Sequence, residues 1–213
     1  MALVDKLIQK GYLKTPEIIE AFRQIKRLDF LPASMAEGNE TLQELAELDE
    51  ALPIGWGQTI SQPLVVAFML ELLEPKGGEK ILDIGSGSGW TTALLAYLVG
   101  QGGRVIAMEI IPELAEFSKA NVAKYNFIKG GVVEVIRGDG SKGYPQEAPF
   151  DKILSSASAL KIPQAWQEQV KPGGKIVSPI KESIWLLEKT SDSQFKKQEF
   201  PGFLFVPLQT TSR

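Results

Sequence analysis

Three glycines at alternate positions predict a ligand-binding turn. The stretch LDIGSGSGW places Gly85, Gly87 and Gly89 directly after a short apolar run. Glycine allows close approach of the backbone to a ligand and positive φ angles. A dinucleotide-binding turn, G-x-G-x-x-G, would need its third glycine where this chain has Trp90. The bulky ring disfavours NAD, so a dinucleotide oxidoreductase is only a third-ranked alternative.

Acidic residues accompany three successive apolar runs. Asp83 lies two positions before the first glycine, Glu109 ends the next run, and Asp139 follows a third run in the stretch RGDGS. The carboxyl ends of parallel strands share one edge of a sheet, and open sheets bind ligands there. A carboxylate at the end of the second strand can accept both hydroxyl groups of a ribose. The pattern therefore favours cofactor binding over a tight turn with incidental carboxylates.

The composition restricts the chemistry that this site could perform. The 213 residues include no histidine and no cysteine. Zinc sites built on histidine, Ser-His-Asp catalysis, disulfides and thiolate chemistry are therefore excluded, and no metal site is predicted. Any enzyme with this composition must work without an imidazole base.

The apolar pattern predicts an α/β fold that positions these residues. Strands are expected at 80–84, 104–108, 132–136, 151–154 and 175–177, with helices over 91–99, 112–125 and 163–170. Strands alternating with helices of this length indicate a parallel sheet with crossover helices, here a three-layer Rossmann-like sandwich. Residues 184–187 and 203–206 are expected to close the sheet as an antiparallel pair. Residues 171–174, KPGG, are expected to turn into the fifth strand.

The first fifty residues are predicted to form a helical extension, followed by the main domain over residues 51–213. Thr15 and Pro16 form a helix start, as N-cap and first helical residue, and apolar residues then recur at helical spacing up to Arg27. Residues 37–50 are acidic and polar, which predicts a solvated linker or a loose helix.

A second candidate site precedes the glycine turn. The stretch WGQTISQP, residues 56–63, leads into an apolar run with helical character. Further stretches follow in order: LDIGSGSG, GDGSKGYPQEAPFD, EQVKPGGKIVSP and FVPL. The glycine turn resembles motif I of class I S-adenosylmethionine-dependent methyltransferases. Together, these stretches resemble the protein-L-isoaspartate O-methyltransferase family over about residues 50 to 208.

The resemblance implies S-adenosyl-L-methionine as cofactor, with S-adenosyl-L-homocysteine as its product, and assigns the site residues. Ser61 matches the active-site serine. The implied cofactor-binding residues are Thr59, Ile60, Ser61, Asp83, Gly85, Ser86, Gly87, Gly89, Glu109, Ile110, Asp139 and Gly140. The implied substrate-binding residues are Thr59, Ser61, and a strand formed by Val206, Pro207 and Leu208. Asp83 is placed either near the methionine end of the cofactor or as an organiser of the loop, and Asp139 near the adenine.

The implied reaction is methyl transfer to the α-carboxylate of L-isoaspartyl residues in damaged proteins or peptides. A carboxylate with a pKa of about 4 is ionised at neutral pH, so its attack on a methyl group needs no general base. Ser61 can orient this carboxylate through a charge-assisted hydrogen bond, but nothing activates it as a nucleophile. A structural alternative makes Ser61 the N-cap of the helix that begins near Pro63.

Three stretches depart from the family pattern, and most of their positions are expected to flank the substrate cleft. The glycine-rich loop after Pro179 is shortened, an alanine-rich segment is replaced by SSASA at residues 155–159, and the stretch RLDFLP at residues 27–32 replaces an Arg-His pattern. Two alternatives therefore stay open: a methyltransferase for RNA or a small molecule, and a catalytically silent binding protein with the cofactor fold.

The resemblance implies isoaspartyl-containing proteins or peptides as partners, and a cytoplasmic monomer is expected. The formal net charge of −3 disfavours a general nucleic-acid binder. The chain has no apolar segment long enough to span a membrane and no signal-peptide pattern, so no membrane partner is expected. Trp56 and Trp90 are expected to pack rather than to bind ligand.

Overall fold

A mostly parallel sheet organises the protein. The computed structural model describes residues 2–35 and 41–211. Its strands are β1 (Leu52–Gly55), β2 (Gln58–Ile60), β3 (Lys80–Ile84), β4 (Arg104–Glu109), β5 (Val133–Arg137), β6 (Phe150–Ser155), β7 (Val170–Ile180), β8 (Ser183–Ser191) and β9 (Gln194–Pro201). β1 and β2 pair as an antiparallel hairpin, and the other strands form one sheet in the order β5-β4-β3-β6-β7-β8-β9. β3 to β7 are parallel and β8 and β9 antiparallel, which confirms the predicted fold class.

Helices cover both faces of the sheet. They are α1 (Leu3–Gln9), α2 (Pro16–Gln24), α3 (Leu42–Ala46), α4 (Pro63–Leu73), α5 (Trp90–Val99), α6 (Pro112–Ala123) and α7 (Gln164–Gln169). Successive strand residues point to opposite faces. Ile81 accordingly joins an apolar cluster with residues of α4, α5 and α6, whereas Leu82 joins a second cluster with Trp166 of α7. The two clusters are the two cores of a three-layer sandwich.

The strand order reverses beside β3. From β3 the chain continues through β4 to β5 on one side, then crosses back and places β6 on the other side of β3. Ile84 is the register partner of Ser155 at the carboxyl ends of β3 and β6. Open α/β sheets bind ligands at such a reversal, outside the carboxyl ends of the strands. The loops that follow β3, β4 and β6 therefore converge on one place.

The predicted last strand is wrong. β8 pairs with β9, and residues 203–206 lie outside the sheet. β9 is an edge strand whose residues are mostly exposed, so its polar sequence QFKKQEFP lacks the apolar run that identifies a buried strand. Gly202 follows it with a φ of +95°, a backbone conformation that favours glycine, and the chain leaves the sheet there.

The turn expected at residues 171–174 is also wrong. These residues belong to β7, which is much longer than the predicted strand over 175–177. The pairing of β7 with β6 shifts register between Phe150 and Lys152, so the strand accommodates this proline and these glycines at a bulge or irregularity. At its other end, β7 connects to β8 through only Lys181 and Glu182, where the family pattern has a longer loop.

The N-terminal helices pack against the rest of the protein. α2 begins at Pro16 after Thr15, as predicted, but the Thr15 hydroxyl donates to Glu71 of α4 at 2.7 Å instead of capping its own helix. Residues 37–40 of the predicted linker lie outside the described residues. α3 follows with a capping box between Thr41 and Glu44, and its Leu45 is buried, so this part of the segment is not simply solvated.

The helices carry no sign of a membrane-spanning segment. Within residues 2–35 and 41–211, none is both long and apolar enough to cross a bilayer.

Candidate active site

A cavity of about 350 Å³ lies at the carboxyl ends of β3, β4 and β6. This volume falls in the range of small-molecule sites, roughly 300 to 1,000 Å³. Twelve predicted site residues line it: Thr59, Ile60, Ser61, Gly85, Ser86, Gly87, Glu109, Ile110, Gly140, Val206, Pro207 and Leu208. Three others, Asp83, Gly89 and Asp139, lie behind its wall. Residues more than 140 positions apart in the sequence thus border one space.

The glycine turn after β3 adopts a conformation that requires glycine. Gly85, Gly87 and Gly89 have φ angles of +78°, +53° and +87°. A Cβ atom added at Gly89 would lie 2.9 Å from both Ser118 O and Ser118 Oγ, because α5 packs closely against α6 at this point. Gly89 therefore serves helix packing, whereas the other two glycines form the cavity wall.

Glu109 connects the end of β4 to the glycine turn. Its Oε2 accepts a hydrogen bond from Gly87 N at 2.9 Å, and its Oε1 accepts from Ile110 N at 2.9 Å and Ile111 N at 3.0 Å. A carboxylate offers about four acceptor positions, so these three bonds fix the side chain without exhausting it. Glu109 is buried at the cavity wall and can still accept from a ligand hydroxyl.

Asp83 lies beneath the turn and is fully buried. Thr92 of α5 donates its hydroxyl to Asp83 Oδ2 at 2.6 Å, and Oδ1 has no partner among the described residues. Burial raises the pKa of Asp83 to about 7, the Thr92 hydrogen bond opposes this rise, and the charge of Glu109 adds to it. Of the two roles considered for Asp83, the contacts favour organisation of the loop, because its bond to Thr92 joins β3 to α5 across the glycine turn.

Asp139 binds the C-terminal segment. Its Oδ2 accepts from Thr211 N at 3.0 Å and from Thr211 Oγ1 at 2.9 Å, and its Oδ1 accepts from Ser141 N at 3.0 Å and Ser141 Oγ at 2.6 Å. Burial acts to raise the pKa of Asp139, but the hydrogen bonds from Ser141 and Thr211 outweigh it and hold the pKa below its ordinary value. The neighbouring Gly138 and Gly140 contribute to the cavity wall instead.

Ser61 lies between β2 and α4 at the cavity. The structure contradicts its alternative role as a helix cap, because Gln62 occupies the N-cap position and Asp49 Oδ1, not the Ser61 hydroxyl, accepts from Leu64 N in the first turn of α4 at 2.9 Å. Pro63 at the first helical position lacks the N–H group, which reduces the need for a cap. Within the part of the chain that the structure describes, the Ser61 hydroxyl makes no hydrogen bond. It is therefore available to a ligand.

Arg27 holds the backbone of Ser61 from behind. Its buried guanidinium donates to Leu48 O at 2.9 Å, to Glu50 O at 2.7 Å and, at 3.4 Å, to both Leu45 O and Ser61 O. Arg27 belongs to the stretch RLDFLP that departs from the family pattern. One side chain thus connects the N-terminal helices to the loop before α4.

The C-terminal segment covers one side of the cavity. Residues 206 to 208 form an isolated parallel bridge where a strand was predicted. Ser158 N donates to Val206 O at 2.8 Å, and Leu208 N donates to Ser158 O at 2.8 Å. Leu204, just before the bridge, lines the cavity although 84% of it is exposed to solvent. The segment presents extended backbone and apolar side chains to whatever occupies the cavity.

Trp90 and Trp56 differ in their exposure to solvent. Trp90 is buried, packs edge-on against Phe22 with ring centroids 5.5 Å apart, and also lines the cavity. Its predicted packing is confirmed. Trp56 is 53% exposed at the turn between β1 and β2, with a φ of +51°, so the packing expected for it is wrong.

Sequence reasoning missed three hydroxyl residues of the cavity lining. They are Ser88 in the glycine turn, Thr91 at the start of α5 and Ser156 directly after β6. Ser156 follows a predicted strand at the sheet edge where Asp83, Glu109 and Asp139 were recognised. The argument from strand ends that identified the carboxylates applies to Ser156 as well.

Comparisons with known proteins agree with this geometry. A model of the family "Protein-L-isoaspartate(D-aspartate) O-methyltransferase" matches residues 1–213. A protein-L-isoaspartate O-methyltransferase of Methanopyrus kandleri is 44% identical over 210 residues, 97% of this chain and 89% of the relative. That of Aeropyrum pernix is 44% identical over 212 residues, 98% of this chain and 78% of the relative.

A solved structure shows the same fold. It is a candidate protein-L-isoaspartate O-methyltransferase from Plasmodium falciparum in complex with S-adenosyl-L-homocysteine, which is similar with a TM-score of 0.84 and 23% sequence identity. The match covers 98% of this chain and 97% of that structure.

Proposed function

The chain belongs to the protein-L-isoaspartate O-methyltransferase family, and we propose that it methylates the α-carboxylate of L-isoaspartyl residues in damaged proteins or peptides. The observation that carries this function is the shared cavity, in which the unpaired Ser61 hydroxyl faces the same space as Glu109 and the glycine turn. The methyl ester favours closure to a succinimide, whose hydrolysis returns part of the chain to normal aspartate. The protein is thus a repair enzyme.

The cofactor is S-adenosyl-L-methionine, and the cavity residues fit it. The Ser86 hydroxyl is buried without a partner among the described residues, so it can bond a polar group of the cofactor. Gly85 and Gly87 leave the backbone bare for close approach. Glu109 keeps acceptor capacity for the ribose hydroxyls. When bound, the cofactor supplies a methyl group that its sulfonium makes electrophilic.

Ser61 acts on the substrate side of the cavity. An isoaspartyl α-carboxylate, with a pKa of about 4 or below, is ionised at neutral pH and needs no base. Ser61 donates a charge-assisted hydrogen bond that orients it. Catalysis in this site is mainly alignment of the acceptor oxygen, which is consistent with the absence of histidine. Thr59 and the segment from Val206 to Leu208 bind the peptide around it.

Asp139 and Asp83 act behind the cavity wall. Asp139 keeps the turn after β5, including Gly140, in place near the adenine through its bonds to Ser141 and Thr211. Asp83 anchors the beginning of α5 through Thr92. The boundary near residue 50, the monomeric state, the cytoplasmic location and the absence of a nucleic-acid partner remain predictions.

Methyl transfer from labelled S-adenosyl-L-methionine tests the proposal. The substrates are a short isoaspartyl peptide and the same peptide with normal aspartate. We expect base-labile methyl ester on the isoaspartyl peptide alone. Equal labelling of both peptides, or of neither while calorimetry shows cofactor binding, contradicts the proposed substrate.

A further inference from the structure

We propose that Ser156 is a second hydroxyl donor to the carboxylate that Ser61 orients. The inference rests on the proposed isoaspartyl substrate and extends it, because it assigns a substrate-binding role to a residue in the SSASA stretch. Two donors from opposite sides would fix the plane of the carboxylate, whereas a single donor leaves it free to rotate.

The backbone places Ser156 at the reversal of the strand order. β6 ends at Ser155, and Ser156 N donates to Ile84 O at 2.8 Å, at the end of β3. A Cβ atom added to Gly85 would lie 3.6 Å from Ala157 Cβ and 4.0 Å from the carbonyl carbon of Ser156. Ser156 therefore lies directly beside the first glycine of the turn, at the position where open α/β sheets bind ligands.

Ser156 and Ser61 also border a common space behind the cavity. A small void is lined by Ser61, Val66, Met69, Thr91, Leu154 and Ser156. Both serines line this void as well as the main cavity, Ser156 from the end of β6 and Ser61 from the loop before α4. One carboxylate in front of the void would meet both hydroxyl groups.

The hydrogen bonds of the serine stretch single out Ser156. The Ser155 hydroxyl donates to Ala157 O at 2.9 Å, and the Ser158 hydroxyl donates to Lys181 O at 3.1 Å. The Ser156 hydroxyl makes no bond within the described residues and belongs to the cavity lining. A carboxylate has two oxygens that each accept such donors, and charge-assisted bonds are about twice as strong as neutral ones. Ser156 thus offers the substrate a donor that the fold itself does not use.

Steady-state methylation of the isoaspartyl peptide by Ser156→Ala tests this role. We expect kcat/KM to fall by about tenfold to a hundredfold, the range for losing one hydrogen bond to a charged group. The dissociation constant for S-adenosyl-L-homocysteine should stay within about twofold, since the lost bond is to substrate. Ser193→Ala is the matched control, because it removes an exposed hydroxyl in the turn between β8 and β9, away from the cavity, and its kcat/KM should be unchanged.

Calorimetry distinguishes a failure of the Ser156 assignment from a failure of the proposed function. It measures binding of the isoaspartyl peptide to the protein saturated with S-adenosyl-L-homocysteine. Peptide affinity that falls in Ser156→Ala, and in Ser61→Ala, supports the two-donor arrangement. Wild-type kinetics and affinity in Ser156→Ala overturn the assignment and leave the proposed function standing. Weakened binding of S-adenosyl-L-homocysteine overturns it as well, because Ser156 would then contact the cofactor. A wild-type protein that neither binds nor methylates the peptide contradicts the proposed function and this inference together.

Discussion

The loop after β3 and the loop before α4 border one cavity, but they use their polar groups differently. In the glycine turn, the N–H groups of Gly85 and Ser86 donate to Met108 O at 2.9 and 3.1 Å, and that of Gly87 donates to Glu109. At Ser61, the backbone carbonyl is held by Arg27 while the hydroxyl has no partner among the described residues. These backbone donors on the proposed cofactor side are therefore used by the sheet, and the Ser86 hydroxyl is left for the ligand there, whereas the Ser61 hydroxyl is left on the proposed substrate side. This contrast explains how a fixed cofactor site can accompany a substrate site with altered surroundings.

Glu109→Gln should have the largest effect and tests the cofactor side of the contrast. It removes the charge that strengthens bonds to the ribose hydroxyls and disturbs those from Gly87 and the residues after β4. We expect the dissociation constant for S-adenosyl-L-homocysteine to rise between about a hundredfold and a thousandfold. Calorimetry measures it, with Glu113→Gln, an exposed acid on α6, as control. An unchanged constant would remove the ribose assignment.

The Asp83→Asn variant tests whether ionisation of a buried carboxyl group on the cofactor side lowers the stability of the folded protein. In the folded protein burial raises the pKa of Asp83 to about 7, above its ordinary value, so the folded state holds its proton longer than the unfolded state. The resulting stability is complete at acid pH and is lost as the pH rises through about 7. Asparagine does not ionise, so the Asp83→Asn variant should not lose stability in this way.

Urea unfolding at pH 5 and pH 8 measures the difference. The wild-type protein should lose about 2 to 3 kcal/mol relative to Asp83→Asn between these two pH values, from the roughly two units over which only the folded state retains the proton. A constant difference between the two proteins across this range would show that Asp83 titrates normally in the folded state.

Ser61→Ala should have the smallest of the three effects and tests the substrate side. We expect kcat/KM for the isoaspartyl peptide to fall about thirtyfold, the loss of one charge-assisted hydrogen bond, while affinity for S-adenosyl-L-homocysteine is retained. Methylation kinetics and calorimetry measure the two quantities. Ser61→Thr keeps a hydroxyl and should recover part of the activity. Full turnover in Ser61→Ala would leave the serine without a role in the reaction.

The same contrast explains which features could be predicted from the sequence. The cofactor side follows from short-range order, because Gly85, Gly87 and Glu109 lie at the ends of consecutive strands that their apolar runs identify. The substrate side depends on distant segments, because Arg27, 34 positions earlier in the chain, donates to the carbonyl of Ser61. Asp139 is the exception on the cofactor side, because nothing local to it predicts its bond to Thr211, 72 residues away. The edge strand β9 escaped prediction because exposed strands need no apolar face.

The residue types in a sequence also do not show whether a side chain is buried or already hydrogen-bonded. A carboxylate just before a glycine turn suggests a ligand-binding group in the sequence, yet Asp83 is fully buried within β3 and does not line the cavity. A serine reads as a surface residue, yet Ser156 lies at the reversal of the strand order. Burial and hydrogen-bond partners, which decide both cases, are set by tertiary packing.

The guanidinium of Arg27 affects the local unfolding of the N-terminal helices. If the N-terminal helices detached alone, the carbonyl groups of Leu48 and Glu50 would lose their donor, and the face of Trp90, over which Arg27 lies at 5.6 Å, would meet water. Detachment of these helices would therefore leave unpaired polar groups and exposed apolar surface at the loop before α4 as well. The amides of α2 and those of the loop before α4 should exchange their hydrogens as one foldon, although 34 positions separate Arg27 from Ser61.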